Sequence, residues 1–141
     1  MRPQTSAFLD KARELLSRAD AMLGIGLNED AGRTAYLAGL HAAQALIFES
    51  TGHVFKKHSG AQREFARLAK GEPSIDPELR AFLPRTYNLK AISDYETGPG
   101  ASVSPGAARA AVQTARRSVE RITTLIPPNG ELPRVPGEPK S

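Results

Sequence analysis

Four side chains that could take part in binding or catalysis lie close together in the 141-residue sequence: Tyr87, Lys90, Asp94 and Tyr95. In a helix, Tyr87, Lys90 and Asp94 share one face, because they are three and four residues apart. Apolar packing explains the neighbouring Leu89 and Ile92 but not a lysine, an aspartate and a tyrosine in the last turn. The cluster is therefore an active site, a modification site or an ordinary solvated helix face.

Asp94 falls in the last turn of the predicted helix, where cations are favoured over anions. We therefore expect Asp94 to be held by cations from elsewhere in the chain, and Arg33, His58 and Lys90 are the available donors. The alternative is an exposed Lys90–Asp94 ion pair of little energetic value, with Tyr95 packing against the helix end.

Arg33 and Tyr36 are candidate binding residues one turn apart in an earlier apolar segment. A buried Arg33 needs a carboxylate partner, because an unpaired interior charge is very costly. At an exposed helix start it would instead make a surface pair.

Several chemistries lack the residues that they need. The chain has no cysteine, which excludes disulfides and thiolate metal sites. His53 and His58 offer at most two metal ligands, and His41 lies in an apolar helix, where a structural role is typical. The sequence contains neither a G-x-S-x-G nor an H-E-x-x-H motif. We expect no metal and no cofactor.

Composition indicates a single small domain. The net charge is +4, which permits a nucleic acid or an acidic protein as partner. No apolar run approaches the length of a membrane span, and the N-terminus becomes charged too early for a secretory signal. These features and the absence of cysteine predict a cytoplasmic protein.

Apolar residues recur at three- and four-residue steps, which predicts an all-α fold. We expect an up-and-down bundle of four long helices and one short helix within residues 1–127, followed by a disordered tail over 128–141. The second helix is apolar on nearly every side and should be central. Pro84 should kink or break the fourth helix. The predicted helices cover residues 6–23, 29–50, 59–68, 77–95 and 105–126, with Ser6, Asn28, Ser59, Asp76 and Ser104 as caps.

Three segments together resemble the HEPN superfamily of nucleotide-binding helical domains, in particular its small stand-alone bacterial and archaeal branch. In that branch an early helix carries an arginine, a tyrosine and an H-A-A run, an H-S-G element follows, and a late helix ends in Arg-x-x-x-Asp-Tyr. The resemblance covers residues 8–126, and the segments that carry it are GRTAYLAGLHAAQALIFESTG, KKHSGAQREFARLAK and IDPELRAFLPRTYNLKAISDYETGP.

The resemblance implies a helical bundle that is usually dimeric. The superfamily includes metal-independent ribonucleases, many of them toxins, and members often act with a small nucleotidyltransferase antitoxin that can attach AMP to a tyrosine near the active motif. On this basis Lys90, Asp94 and His58 are the catalytic candidates, with His58 as the base provided that folding brings it close to Lys90. The candidates for binding or modification are Arg33, Tyr36, Tyr87 and Tyr95.

The sequence also departs from the ribonuclease pattern. The usual late arginine followed by a histidine is missing, because no histidine follows Arg80 or Arg85. Lys90 stands where the branch has arginine, which keeps the charge but loses the bidentate fork. We therefore predict a component of a toxin–antitoxin type pair whose ribonuclease activity is weak or absent. The alternatives are a metal-independent toxin ribonuclease that binds RNA and a helical oligomerisation module without catalysis.

Overall fold

The protein folds into five α-helices and, within the described residues, no strand. The structure, a computed structural model, describes the backbone of residues 1–95 and 103–127 and the side chains of residues 1–89 and 103–127. The predicted disordered tail over 128–141 lies outside the described residues. The helices are α1 (Pro3–Gly24), α2 (Asn28–Thr51), α3 (His58–Lys70), α4 (Pro77–Tyr95) and α5 (Pro105–Leu125).

The all-α bundle of four long helices and one short helix is confirmed. The short helix is α3, with 13 residues, whereas α1, α2, α4 and α5 have 22, 24, 19 and 21. Among the described helices, none combines the length and the apolar character needed to cross a membrane.

The central position predicted for α2 is also confirmed, because α2 packs against each of the other four helices. Its many small residues allow this close approach. Alanines at positions 31, 35, 38, 42, 43 and 45 are all buried. Larger side chains from the surrounding helices, such as Leu9 and Phe82, fill the space that these alanines leave.

Two predicted helix starts show the expected capping bonds. The Asp76 carboxylate accepts a hydrogen bond from the Leu79 N–H at 2.9 Å, and Pro77 occupies the first helical position. The Ser104 hydroxyl accepts from the Ala107 N–H at 3.1 Å. Both caps satisfy backbone donors that have no partner within their own helix.

Other predicted helix limits differ by a few residues. The first helix begins at Pro3 rather than at Ser6, because a proline is well suited to a first helical turn. Helices α2 and α3 begin at Asn28 and His58, and neither has a side-chain cap. The break considered at Pro84 does not occur, since α4 is continuous through it.

Candidate functional site

The hydroxyl of Tyr36 on α2 is a polar group with two hydrogen-bond contacts in the described core. The Tyr36 side chain is fully buried, at 0% exposure. Its Oη atom lies 2.8 Å from Nδ1 of His58, and it accepts a hydrogen bond of 2.9 Å from the amide nitrogen of Gln62. His58 is the first residue of α3 and Gln62 lies one turn later, so the two reach Tyr36 from the same side of α3.

Tyr87 on α4 completes this group. Its ring centroid lies 5.5 Å from that of Tyr36 in an edge-on arrangement and 5.8 Å from that of His58. The Tyr36 and His58 rings are 5.6 Å apart and nearly parallel. These are favourable distances for aromatic contacts. Three helices thus bring together Tyr36, His58, Gln62 and Tyr87, which we call the tyrosine–histidine cluster.

The cluster has a buried side and an open side. Tyr36 lies in the core, His58 is half-buried, and Tyr87 is 37% exposed. Burial is the main reason why the pKa of Tyr36 is raised, to about 12, and nearby Tyr87 raises it further. The hydrogen bond from Gln62 opposes part of this rise. At neutral pH Tyr36 is therefore a protonated phenol that can donate and accept hydrogen bonds.

The connector between α2 and α3 positions His58. The Gln44 amide on α2 donates a 3.3 Å hydrogen bond to the carbonyl oxygen of Phe55, which ties the connector to the central helix. Lys56 and Lys57 then precede His58 with exposed side chains. Two exposed cations therefore directly precede His58 in the chain, at the N-terminal end of α3, where an anion would be favoured.

Helices α2 and α4 pack side by side at this site and run in opposite directions. Gly39 faces Phe82, and Gly32 faces Leu89 seven residues further along α4. When the same pairing is extended along α4, the backbone of residues 90–94 lies alongside the first turn of α2. Arg33 lies one turn further into α2 and is half-buried.

The side chains of Lys90, Asp94 and Tyr95 lie outside the described residues. The expectation that Arg33, His58 and Lys90 converge on Asp94 therefore stays a prediction. Of the other candidates, the structure brings Tyr36, His58 and Tyr87 together. Gln62 was not singled out from the sequence, although its spacing of four residues from His58 could have indicated it.

The remaining histidines lie elsewhere. His41 is half-buried between α1 and α2, with its ring 6.0 Å from that of Phe8, and His53 is exposed. The His41 Nδ1 atom is buried without a hydrogen-bond partner, unlike the backbone-bonded histidine that is usual in helices. In the part of the chain that the structure describes, no three histidine or carboxylate side chains are grouped so that they could hold a metal ion.

A helical bundle with a buried tyrosine paired to a histidine at the start of the next helix agrees with the motifs described above. The family model for the HEPN domain matches residues 5–125. The chain therefore belongs to the HEPN family.

A relative supports this assignment. A protein of Methanocaldococcus jannaschii named "Putative toxin MJ0605" is 31% identical to this chain over 97 residues. The aligned region covers 69% of this chain and 72% of that protein.

Proposed function

We propose that this chain is the HEPN component of a toxin–antitoxin type pair. In this proposal it acts with a small nucleotidyltransferase partner, and its own ribonuclease activity is weak or absent. Two comparisons carry the proposal: the HEPN match spans residues 5–125, and a relative aligned over 69% of the chain is named "Putative toxin MJ0605". The absence of a late arginine–histidine motif from the sequence supports weak activity.

The partner would act by modifying a tyrosine of this chain. The phenolic oxygen would attack the α-phosphorus of ATP, forming a phosphodiester while the bond to the β-phosphate breaks and pyrophosphate and a proton leave. The chain has three tyrosines, and Tyr36 is too deeply buried to be reached. We propose Tyr95 as the acceptor, with Tyr87 as its exposed neighbour on α4.

The modification is tested with the purified chain, a nucleotidyltransferase encoded beside its gene, ATP and Mg²⁺. Intact-protein mass spectrometry should show the addition of one AMP, and fragmentation should place it on Tyr95. Tyr95→Phe should abolish the label, whereas the matched variant Tyr87→Phe should retain it. Equal labelling of the Tyr95→Phe variant would refute this assignment.

The toxin–antitoxin role is tested by controlled expression in bacteria. Expression of the chain alone should slow growth, and co-expression of the neighbouring nucleotidyltransferase should restore it. A catalytically inactive transferase serves as the control, because it separates binding from modification. Normal growth of cells that accumulate the folded chain would show that its own activity is absent, and a neighbouring transferase that neither binds nor labels the folded chain would then count against the proposal.

A metal-independent ribonuclease is the second candidate, and the position of His58 favours it. His58 lies at the surface end of the tyrosine–histidine cluster beside Lys56 and Lys57, where an RNA phosphate would be attracted. This candidate predicts RNA cleavage that persists in EDTA. Cleavage should be lost in the His58→Ala, Lys90→Ala and Asp94→Ala variants and retained in Lys70→Ala, which alters an exposed lysine at the far end of α3. Intact RNA under conditions in which a control enzyme cuts would exclude it.

A plain oligomerisation module is the remaining alternative, and dimer formation is common to it and to the toxin. We propose a homodimer that uses α4, because α2 packs against the other four helices and most of its residues are buried. Static light scattering should give twice the chain mass at micromolar concentration. A dimer without toxicity, labelling or RNA cleavage would favour the module.

A further inference from the structure

We propose that Gln62 is a positioning residue that fixes the proton of neutral His58 on Nε2, with Tyr36 as the relay. The inference begins with the buried Oη of Tyr36, which has two polar contacts, Nδ1 of His58 at 2.8 Å and the Gln62 amide nitrogen at 2.9 Å. A phenol has one proton to donate and can accept hydrogen bonds through its oxygen.

The amide nitrogen of Gln62 can only donate, so this contact uses Oη as an acceptor. The proton of Tyr36 then needs an acceptor of its own, because a buried donor without a partner is unfavourable. Nδ1 of His58 is the other polar atom in contact with Oη. It can accept this proton only if it carries none itself, which places the ring proton of neutral His58 on Nε2.

This arrangement determines what His58 can do. With the proton on Nε2, the edge of the ring that points away from Tyr36 donates a hydrogen bond and cannot take up a proton there. Such a donor suits a phosphate-ester oxygen better than the removal of a proton from an RNA hydroxyl. In this respect the inference rests on the proposed function and explains why ribonuclease activity would be weak.

Gln62→Glu should reverse the direction of the hydrogen bonds that pass through Tyr36. The new carboxylate accepts rather than donates, so the Tyr36 proton turns towards it, and Oη then accepts from a protonated Nδ1 of His58. Gln62→Met is the matched control, because it has a similar length and removes the amide without adding an acceptor. In that variant Oη no longer accepts from residue 62, so Tyr36 can either donate to Nδ1 or accept from it, and the proton of His58 is no longer fixed on Nε2.

The test is long-range ¹H–¹⁵N NMR of the imidazole rings in the full chain, at a pH of about 8.5, where ordinary histidines are neutral. The nitrogen shifts distinguish the two proton positions, and His53→Gln and His41→Gln variants assign the signals. We expect the Nε2–H form in the wild type, a mixture of the two forms in Gln62→Met, and the Nδ1–H form in Gln62→Glu. His53 should not change in any variant.

A wild-type His58 with its proton on Nδ1 would overturn the inference, as would a folded Gln62→Glu variant that keeps the Nε2–H form. The wild-type spectrum decides by itself if a variant does not fold. The measurement needs no partner, RNA or toxicity, so its failure is distinguishable from failure of the proposed function.

Discussion

At the scale of single residues, burial makes Tyr36 the polar centre of the site. Its hydroxyl connects α2 to two residues of α3, and its ring contacts Tyr87 of α4. A buried phenol resists ionisation, because the phenolate would lose its hydration. The same burial that keeps Tyr36 out of reach of an incoming ligand therefore keeps it available as a hydrogen-bond relay.

The raised pKa of Tyr36 predicts that stability and tyrosine absorbance change measurably at alkaline pH. In the unfolded chain a tyrosine ionises near its ordinary pKa of 10, whereas Tyr36 in the fold has a pKa of about 12. The folded state holds its proton more tightly, so the stability that Tyr36 contributes is present below pH 10 and is lost as the pH rises through 12. After a rapid jump to a pH between these values, the absorbance of ionised tyrosine should rise in a slow phase that has the same rate as unfolding.

Tyr36→Phe is the control for this phase and should remove it. The substitution should also cost about 1 kcal/mol of unfolding free energy, because His58 and Gln62 lose a hydrogen-bond partner. Chemical denaturation measures that loss. An unchanged slow phase in the variant would show that another tyrosine is responsible.

The sequence predicts part of this site. Tyr36 and His58 are candidates because their motifs resemble those of a known family, Tyr87 is one because it shares a helix face with Lys90, and the fold brings the three together. The role of Gln62 could not be predicted, since a glutamine on an amphipathic helix is usually exposed and only its distance from Tyr36 distinguishes it. The complete burial of Tyr36 likewise depends on how α3 and α4 cover α2.

At the scale of helices, α2 and α4 approach closely because α2 has glycine where α4 has large side chains. A Cβ atom added at Gly39 would lie 2.3 Å from Cε2 of Phe82, far inside contact distance. At Gly32 it would lie 3.3 Å from the Leu89 side chain, which needs only a small adjustment. Gly39 is therefore the point at which the two helices are closest to overpacking.

Gly39→Ala should destabilise the protein by about 1–3 kcal/mol, because the added methyl group displaces the buried ring of Phe82. Gly106→Ala is the matched control, since a Cβ there meets nothing within 4 Å. It should be neutral or slightly stabilising. Urea unfolding of both variants measures the difference.

Adding Phe82→Leu to Gly39→Ala should recover part of the loss, because the smaller side chain makes room for the methyl group. A double-mutant cycle would then show coupling between the two positions. Simple addition of the two single effects would contradict the proposed contact.

The helices themselves were largely predictable, because each is encoded locally. Asp76 and Ser104 cap α4 and α5 as expected from their position before a proline. Pro84 does not break α4. A proline usually interrupts a helix, but Phe82 and Leu83 beside it are buried, and this packing favours the continuous helix.

At the scale of the whole molecule, the bundle is organised around α2, and its most extensive helix pair is α1 with α2. The central place of α2 was predictable from its apolar character on all sides. The order in which the other helices surround it was not, because several amphipathic faces could cover the same surface. Stability of the whole bundle should therefore respond to charge introduced between α1 and α2.

His41 lies at this pair of helices and should make the fold sensitive to acid. Burial lowers its pKa from the ordinary value of 6.5, and Lys11 of α1 lowers it further by repulsion. The unfolded chain thus binds a proton more readily than the folded one, so the free energy of unfolding falls as the pH drops below about 6.5. In His41→Gln, urea unfolding between about pH 7.5 and 5 should show a shallower decline of the free energy of unfolding than in the wild type.

His53→Gln is the control, because His53 is exposed and its replacement should leave the wild-type slope unchanged. An equal slope in His41→Gln and the wild type would show that other groups cause the acid sensitivity.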